Sequence, residues 1–383
     1  MLRARGAARA GVGVVGVLAF MAAGCDLGDP PTTYPVSGED VLISGDVNGD
    51  GHVDLVSGTT VLLGDGAGGL TTGALTGGSP SGFLVDVNED GFDDSIEVEK
   101  DANETRTTLQ LNDGAGGFDP PSSLASDPWY APPSLLVDDV NDDDHADLVW
   151  PEVQGGPTGK QIRVRLGDGG GGFGAPLLSD AHSTSPDYDQ VLADVNGDGH
   201  VDLIVGSCNC ALVPQARFDL YLGDSAGSFG FTQSFLGLYM PATTLILVDQ
   251  IEVIDANGDG FLDLVGRNRA TSSGGYGETV LLGDGTGGFG TASLRPSSDW
   301  SFDFVSADFN GDGADDLLVA AEDSEDRSSS EVRFGAAADP FAETRFMNAP
   351  GDQVVTADFD EDGKPDAAFR SAGQVTVFLN RLA

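Results

Sequence analysis

Residues 194–202 read Asp-Val-Asn-Gly-Asp-Gly-His-Val-Asp. The same nine-residue pattern begins at Asp46, Asp86, Asp139, Asp255, Asp308 and Asp358, with neighbouring copies 40 to 61 residues apart. Five copies are trailed by a second string: LGDGAGGL at 63–70, LNDGAGGF at 111–118, LGDGGGGF at 166–173, LGDSAGSF at 222–229 and LGDGTGGF at 282–289. The sixth trailer is degenerate (FGAAADPF, 334–341), and the seventh stops at Asn380. Repetition at this period means one structural unit used seven times. Around the fourth copy, VLA (191–193), VDLIVG (201–206), FDLYLG (218–223) and FGFTQSF (229–235) are short apolar runs bounded by Gly, Asp and Asn. That is strand–turn–strand punctuation, and no helix-period segment matches it in strength. The expected fold is all-β: seven four-stranded units in a β-propeller, with a linear solenoid as the alternative.

Ring closure has its own signal. The last copy has residues for three strands, ending near Leu379, while an orphan extended segment, Thr32–Val36, precedes the first copy. Supplied as the outer strand of the seventh blade, it would remove the exposed edges and make the mature chain one domain.

Within the nine-residue pattern, positions one, three, five and nine supply oxygens, position seven offers a carbonyl, and the glycine at position six allows a sharp bend. Such a donor set suits a hard cation, in the manner of an EF-hand loop lacking its twelfth-position Glu. The expected ligands are Asp46, Asn48, Asp50 and Asp54; Asp86, Asn88, Asp90 and Asp94; Asp139, Asn141, Asp143 and Asp147; Asp194, Asn196, Asp198 and Asp202. The later copies contribute Asp255, Asn257, Asp259 and Asp263; Asp308, Asn310, Asp312 and Asp316; Asp358, Asp360, Asp362 and Asp366. Asp144 replaces the glycine in copy three, a substitution that Asp tolerates better than most residues. Up to seven structural Ca²⁺ ions are expected. Turn chemistry alone also favours Asp, Asn and Gly, but it does not require a carboxylate at position nine in every copy.

Charge points the same way. The chain carries 62 acidic against 18 basic residues, a net of −44. Such a surface repels nucleic acid and anionic lipid. The expected partner is a surface protein or a glycan, with membrane contact only through an anchor. That anchor is legible at the start. Arg3, Arg5 and Arg9 precede an apolar stretch at 11–23, followed by Ala22-Ala23-Gly24-Cys25. This is an export signal. Its end resembles a bacterial lipoprotein box with Cys25 as the lipidated residue; simple secretion with a free thiol is the alternative. Cleavage after residue 24 removes three arginines and no acid, taking the net from −44 to −47. The chain thus divides into a signal (1–24), a lipidated Cys and short tether (25–33) and a propeller (34–383).

These repeats resemble the FG-GAP/VCBS family, the unit of integrin α-chain propellers and of many exported bacterial proteins. The resemblance implies a seven-bladed propeller with calcium between the first and second strand of each blade. It implies no single activity: such propellers bind partners, some are lectins and a few are enzymes. The expected role is a non-catalytic surface binding or adhesion module. A lectin-like carbohydrate binder is the narrower alternative, and a polysaccharide-acting enzyme a distant one. With acidic loops on one face, the opposite face collects the candidate ligand residues Trp129, Tyr130, Trp150, Tyr188, Tyr239, Arg267, Arg269, Tyr276 and Trp300. Aromatics and arginines on loops are common binding ingredients. His52, His145 and His200 sit at position seven, where only the carbonyl is needed, and read as exposed side chains without a catalytic role. The pair Cys208 and Cys210 reads as a strained disulfide, free thiols or, least of all, a metal or redox site. No nucleophile motif is present.

Overall fold

The computed structural model describes residues 30–37, 41–73, 76–77, 82–100, 105–114, 117–127, 135–156, 159–182, 187–208, 215–239, 246–270, 276–297, 300–322, 330–337, 339–347, 349, 351–371 and 373–382. It contains seven four-stranded antiparallel sheets. In the first, Leu42–Gly45 is innermost, then Asp54–Ser57, Thr60–Gly64 and Leu70–Gly73 outermost. The order is sequential in every blade except the seventh. There Gln353–Ala357, Asp366–Ser371 and Gln374–Phe378 come from the end of the chain, and the outer strand is Thr32–Pro35. Thr32 lies opposite Val377 and Pro35 opposite Gln374. The strand begins two residues inside the stretch assigned above to the tether. Tyr34 adds a second tie, its hydroxyl accepting the Leu70 amide of blade one at 3.1 Å.

Alternation along each strand explains why blades stack in a ring. Leu55 packs with Phe359, Ala368 and Val377 of blade seven, while Val56, the next residue, packs with Leu84 and Phe118 of blade two. Successive side chains point to opposite faces of a strand, so a sheet buried on both sides needs apolar residues at both parities. Each of the seven hydrophobic clusters joins two neighbouring blades. The junction between blades seven and one is as apolar as the others, which selects a closed propeller over a solenoid. The residue ending each glycine-rich string (Leu70, Phe118, Phe173, Phe229, Phe289, Phe341) packs at such a junction, as the sequence suggested.

The inner strands are tied by side chains the sequence reading had not singled out. Asp189 accepts the Ile251 amide, Gln250 the Phe304 amide, Asp303 the Val354 amide and Gln353 the Leu42 amide. Each acceptor lies five residues before its own acidic loop, and each donor four residues before the next. Adjacent inner strands of a propeller diverge too far for a ladder, so a polar side chain reaches across instead. Inside this ring, blades one, two, five, six and seven line a cavity of about 440 Å³.

Candidate metal loops and the face they form

Every acidic loop joins an inner strand to the second strand, and position nine is the second strand's first residue. All seven position-nine carboxylates are fully buried. One oxygen of each accepts an amide from the start of that blade's third-to-outer turn: Gly64, Asn112, Gly167, Gly223, Gly283, Gly335 and Asn380. In six blades the other accepts the position-two amide, for example Val195 onto Asp202 at 3.1 Å. The L-G-D string is therefore the partner of the acidic loop. In blade four that glycine is a steric need, since a Cβ at Gly223 would lie 2.1 Å from the Val201 carbonyl, whereas blades two and seven carry Asn112 and Asn380 at the same position.

Burial and crowding raise these acids. Desolvation is the main cause, partly offset by the accepted amides and reinforced by the carboxylates at positions one and five, or one and three for Asp366. It holds Asp54, Asp94, Asp147, Asp202 and Asp366 at about 6, and Asp263 and Asp316 at about 7. Asp316→Ala would leave two buried amides (Phe309 and Gly335) without an acceptor, at about 1–3 kcal/mol each. The expected result is a loss of about 2–6 kcal/mol in denaturant titration, with Asp316→Asn losing less.

The remaining loop residues fold inward. In blade one, Asp46 accepts amides from Gly49 and Gly51, Asn48 from Asp50, and Asp50 from His52. The bend at position six has φ of 67° at Asp144 and 85–91° at the six glycines, so the Asp substitution in copy three keeps the turn. The residues fit a hard cation on two counts. In blade seven, oxygens of Asp358, Asp360 and Asp366 lie within 4.8 Å of one another. In blade five, Asp263 Oδ2 is buried without a hydrogen-bond partner. Blade seven also brings its own cation. Arg381 lies 2.6 Å from Asp360 and 3.0 Å from Asp362, offsetting the extra carboxylate there.

The position-seven histidines pair across blades, a structural role the sequence reading did not assign. His52 Nδ1 lies 2.5 Å from Glu361, His200 Nδ1 2.6 Å from Asp142, and His145 pairs with Glu89. Each joins position seven of one blade to position four of the blade before it. Position four is left-handed in all seven loops; it is Gly in four and Glu89, Asp142 or Glu361 in three. Those three acids sit where Gly would be less strained, and each faces a histidine. Where the facing residue is Phe92, Ala314 or Lys364, position four is Gly49, Gly258 or Gly311; a Cβ on Gly49 would overlap the Phe92 ring at 1.9 Å. The hydrogen bond to the carboxylate raises each histidine above its usual 6.5. These pairs stabilise below the free histidine pKa and lose that contribution as pH rises through the folded one. A His145→Gln/Glu89→Gln double-mutant cycle should therefore give coupling at pH 6 that vanishes by pH 9.

The opposite face answers the sequence expectation unevenly. Trp150 is 4% exposed and belongs to the core between blades two and three, so it is not a ligand residue. Arg267 is 8% exposed and likewise buried. The cause is the same for both: the second strands of blades three and five extend past them, as Asp147–Gly156 and Asp263–Ala270. Tyr188, Tyr239, Arg269, Tyr276 and Trp300 lie in strands, at or within two residues of the strand ends on this face. Cys25, Trp129, Tyr130 and Cys210 fall outside the described residues; Cys208 ends the second strand of blade four.

The FG-GAP-like repeat family matches residues 194–266 and 255–319, within blades four to six. No curated protein matches the chain. Among solved structures, the biofilm matrix protein Bap1 of V. cholerae aligns at 11% identity over 91% of this chain and 88% of that one, with a TM-score of 0.36. Residues 194–319 of this seven-bladed β-propeller are thus similar to FG-GAP-like repeats, and the acidic loop of that segment recurs in all seven blades.

Proposed function

We propose that the protein is an exported, lipid-anchored propeller held rigid by calcium, and that it serves as a non-catalytic binding or adhesion module. The observation that carries this reading is the difference between its two faces. One is uniform, built from seven near-identical loops whose side chains are occupied in holding the ring together. The other is uneven. In blade one the second and third strands meet at a two-residue turn, Gly58–Thr59, whereas four, six, five and eight residues separate them in blades two, four, five and six, and in blade three the second strand itself runs to ten residues, Asp147–Gly156. Seven equal loops suit a scaffold, and unequal projections on one side suit recognition. The carboxylates of the acidic loops, the most regularly placed in the chain, are engaged in backbone hydrogen bonds.

Labelled protein applied to a glycan array and to whole bacterial cells tests the reading. Binding that is lost in Trp129→Ala/Trp300→Ala, with an unchanged melting temperature, supports it. Glycan binding selects the lectin form, and binding to cells alone selects a protein partner. Retention of all binding in the double variant would place recognition elsewhere.

A further inference from the structure

The register of the closing strand fixes the face from which the N-terminal segment departs. Gln374 follows the turn between the second and third strands, and Phe378 leads to Asn380, whose amide bonds Asp366 of the acidic loop. Thr32 is opposite Val377 and Pro35 opposite Gln374. The chain therefore enters the outer strand at the acidic-loop face and leaves it at the opposite face. Six residues, Asp26 to Pro31, separate Cys25 from Thr32. Seven Cα steps span at most about 25 Å. Doubling back along the five-residue strand Gln374–Phe378, roughly 17 Å, would use most of that reach.

We propose that the acidic-loop face is the membrane-proximal face and that the uneven face is turned away from the bilayer. This rests on lipidation of Cys25 as part of the function proposed above. The occupant of the acidic face is thus the bilayer that holds the anchor. The geometry leaves the long hairpins of blades two to six on the side a distant partner reaches first. It also turns seven acidic loops toward phosphate headgroups, a repulsion the anchor has to outweigh and that divalent cations in solution would reduce.

The test uses full-length protein with Cys208→Ser/Cys210→Ser, carrying either Ala67→Cys or Thr59→Cys. Both sites are exposed in blade one, Ala67 on the acidic-loop face and Thr59 on the other. Each protein is labelled with a fluorophore and bound to phosphatidylethanolamine/phosphatidylglycerol vesicles bearing a headgroup quencher, with calcium present. Several-fold stronger quenching at residue 67 than at residue 59 is expected. Equal or reversed quenching with an acylated Cys25 overturns the orientation and leaves the anchor standing. An unacylated Cys25, read by mass spectrometry, overturns both. A protein starting at residue 26 with an N-terminal histidine tag on nickel-chelating vesicles measures the entry geometry alone. Equal quenching there overturns the orientation as well.

Discussion

Chelating calcium from the protein is expected to lower its melting temperature by about 14 °C. Extracellular calcium modules bind with dissociation constants of roughly 10⁻⁴–10⁻³ M. At about 1 mM free calcium and a constant near 0.1 mM, each occupied loop stabilises the fold by about 1.4 kcal/mol. Seven loops sum to about 10 kcal/mol, comparable to the whole stability of an ordinary domain. With an unfolding entropy of about 0.7 kcal/mol/K for roughly 350 residues, that converts to the stated shift. Calorimetry in 1 mM calcium and in excess chelator measures it. An unchanged midpoint would mean that the loops stand on hydrogen bonds alone.

The pH dependence of the same two samples should have opposite signs. In chelator, position-nine carboxyls near 6 or 7 keep protons in the folded state that the unfolded chain has released. The folded state then binds more protons between about pH 4 and pH 7, so metal-free stability falls as pH rises through that window. In calcium, protons compete with the ion for the same oxygens, and stability rises with pH instead. Melting curves at pH 5 and pH 7.5 in each condition reveal the crossing. Parallel slopes would show that these acids do not face the ion.

The sequence read well wherever one residue type had one physical task. The bend glycines and the Leu or Phe closing each glycine-rich string repeat with the blade, so their turn and packing roles could be inferred from periodicity; position-nine Asp repeats as well, but its recurrence did not reveal the backbone amides it accepts. What stayed hidden were contacts between blades. The pairing of His145 with Glu89 links residues 56 apart and appears at only three junctions, so inspection of a single repeat presents each as an isolated surface side chain. The inner-strand bridges from Gln250 and Gln353 were obscured because one polar side chain within a mostly apolar strand does not announce a partner more than 40 residues away. Trp150 misled for the converse reason. A tryptophan beside Pro151 at an apparent strand end looked like a loop residue, but the strand continues to Gly156 through a register shift after Trp150.

Ring closure is where the largest single structural effect should fall. A protein starting at residue 37 lacks Thr32–Pro35 and the Val36 amide that bonds Gly373. Four register pairs disappear, the Leu70 amide loses the Tyr34 hydroxyl, and Gln374–Phe378 becomes a bare edge. At about 1 kcal/mol per hydrogen bond, plus burial of the Tyr34 ring, the loss is roughly 4–6 kcal/mol, or about 6–8 °C. A second consequence is independent of that sum. The uncovered strand, QVTVF, is rich in β-branched residues and uncharged, and such an edge recruits other strands. Self-association measured by light scattering should rise in the truncated protein and stay low in Tyr34→Phe, which loses one hydrogen bond but keeps the strand. If truncation changed neither the melting temperature nor the association state, the first and last blades would be held by their apolar junction alone, and the N-terminal strand would be only a passenger on the ring.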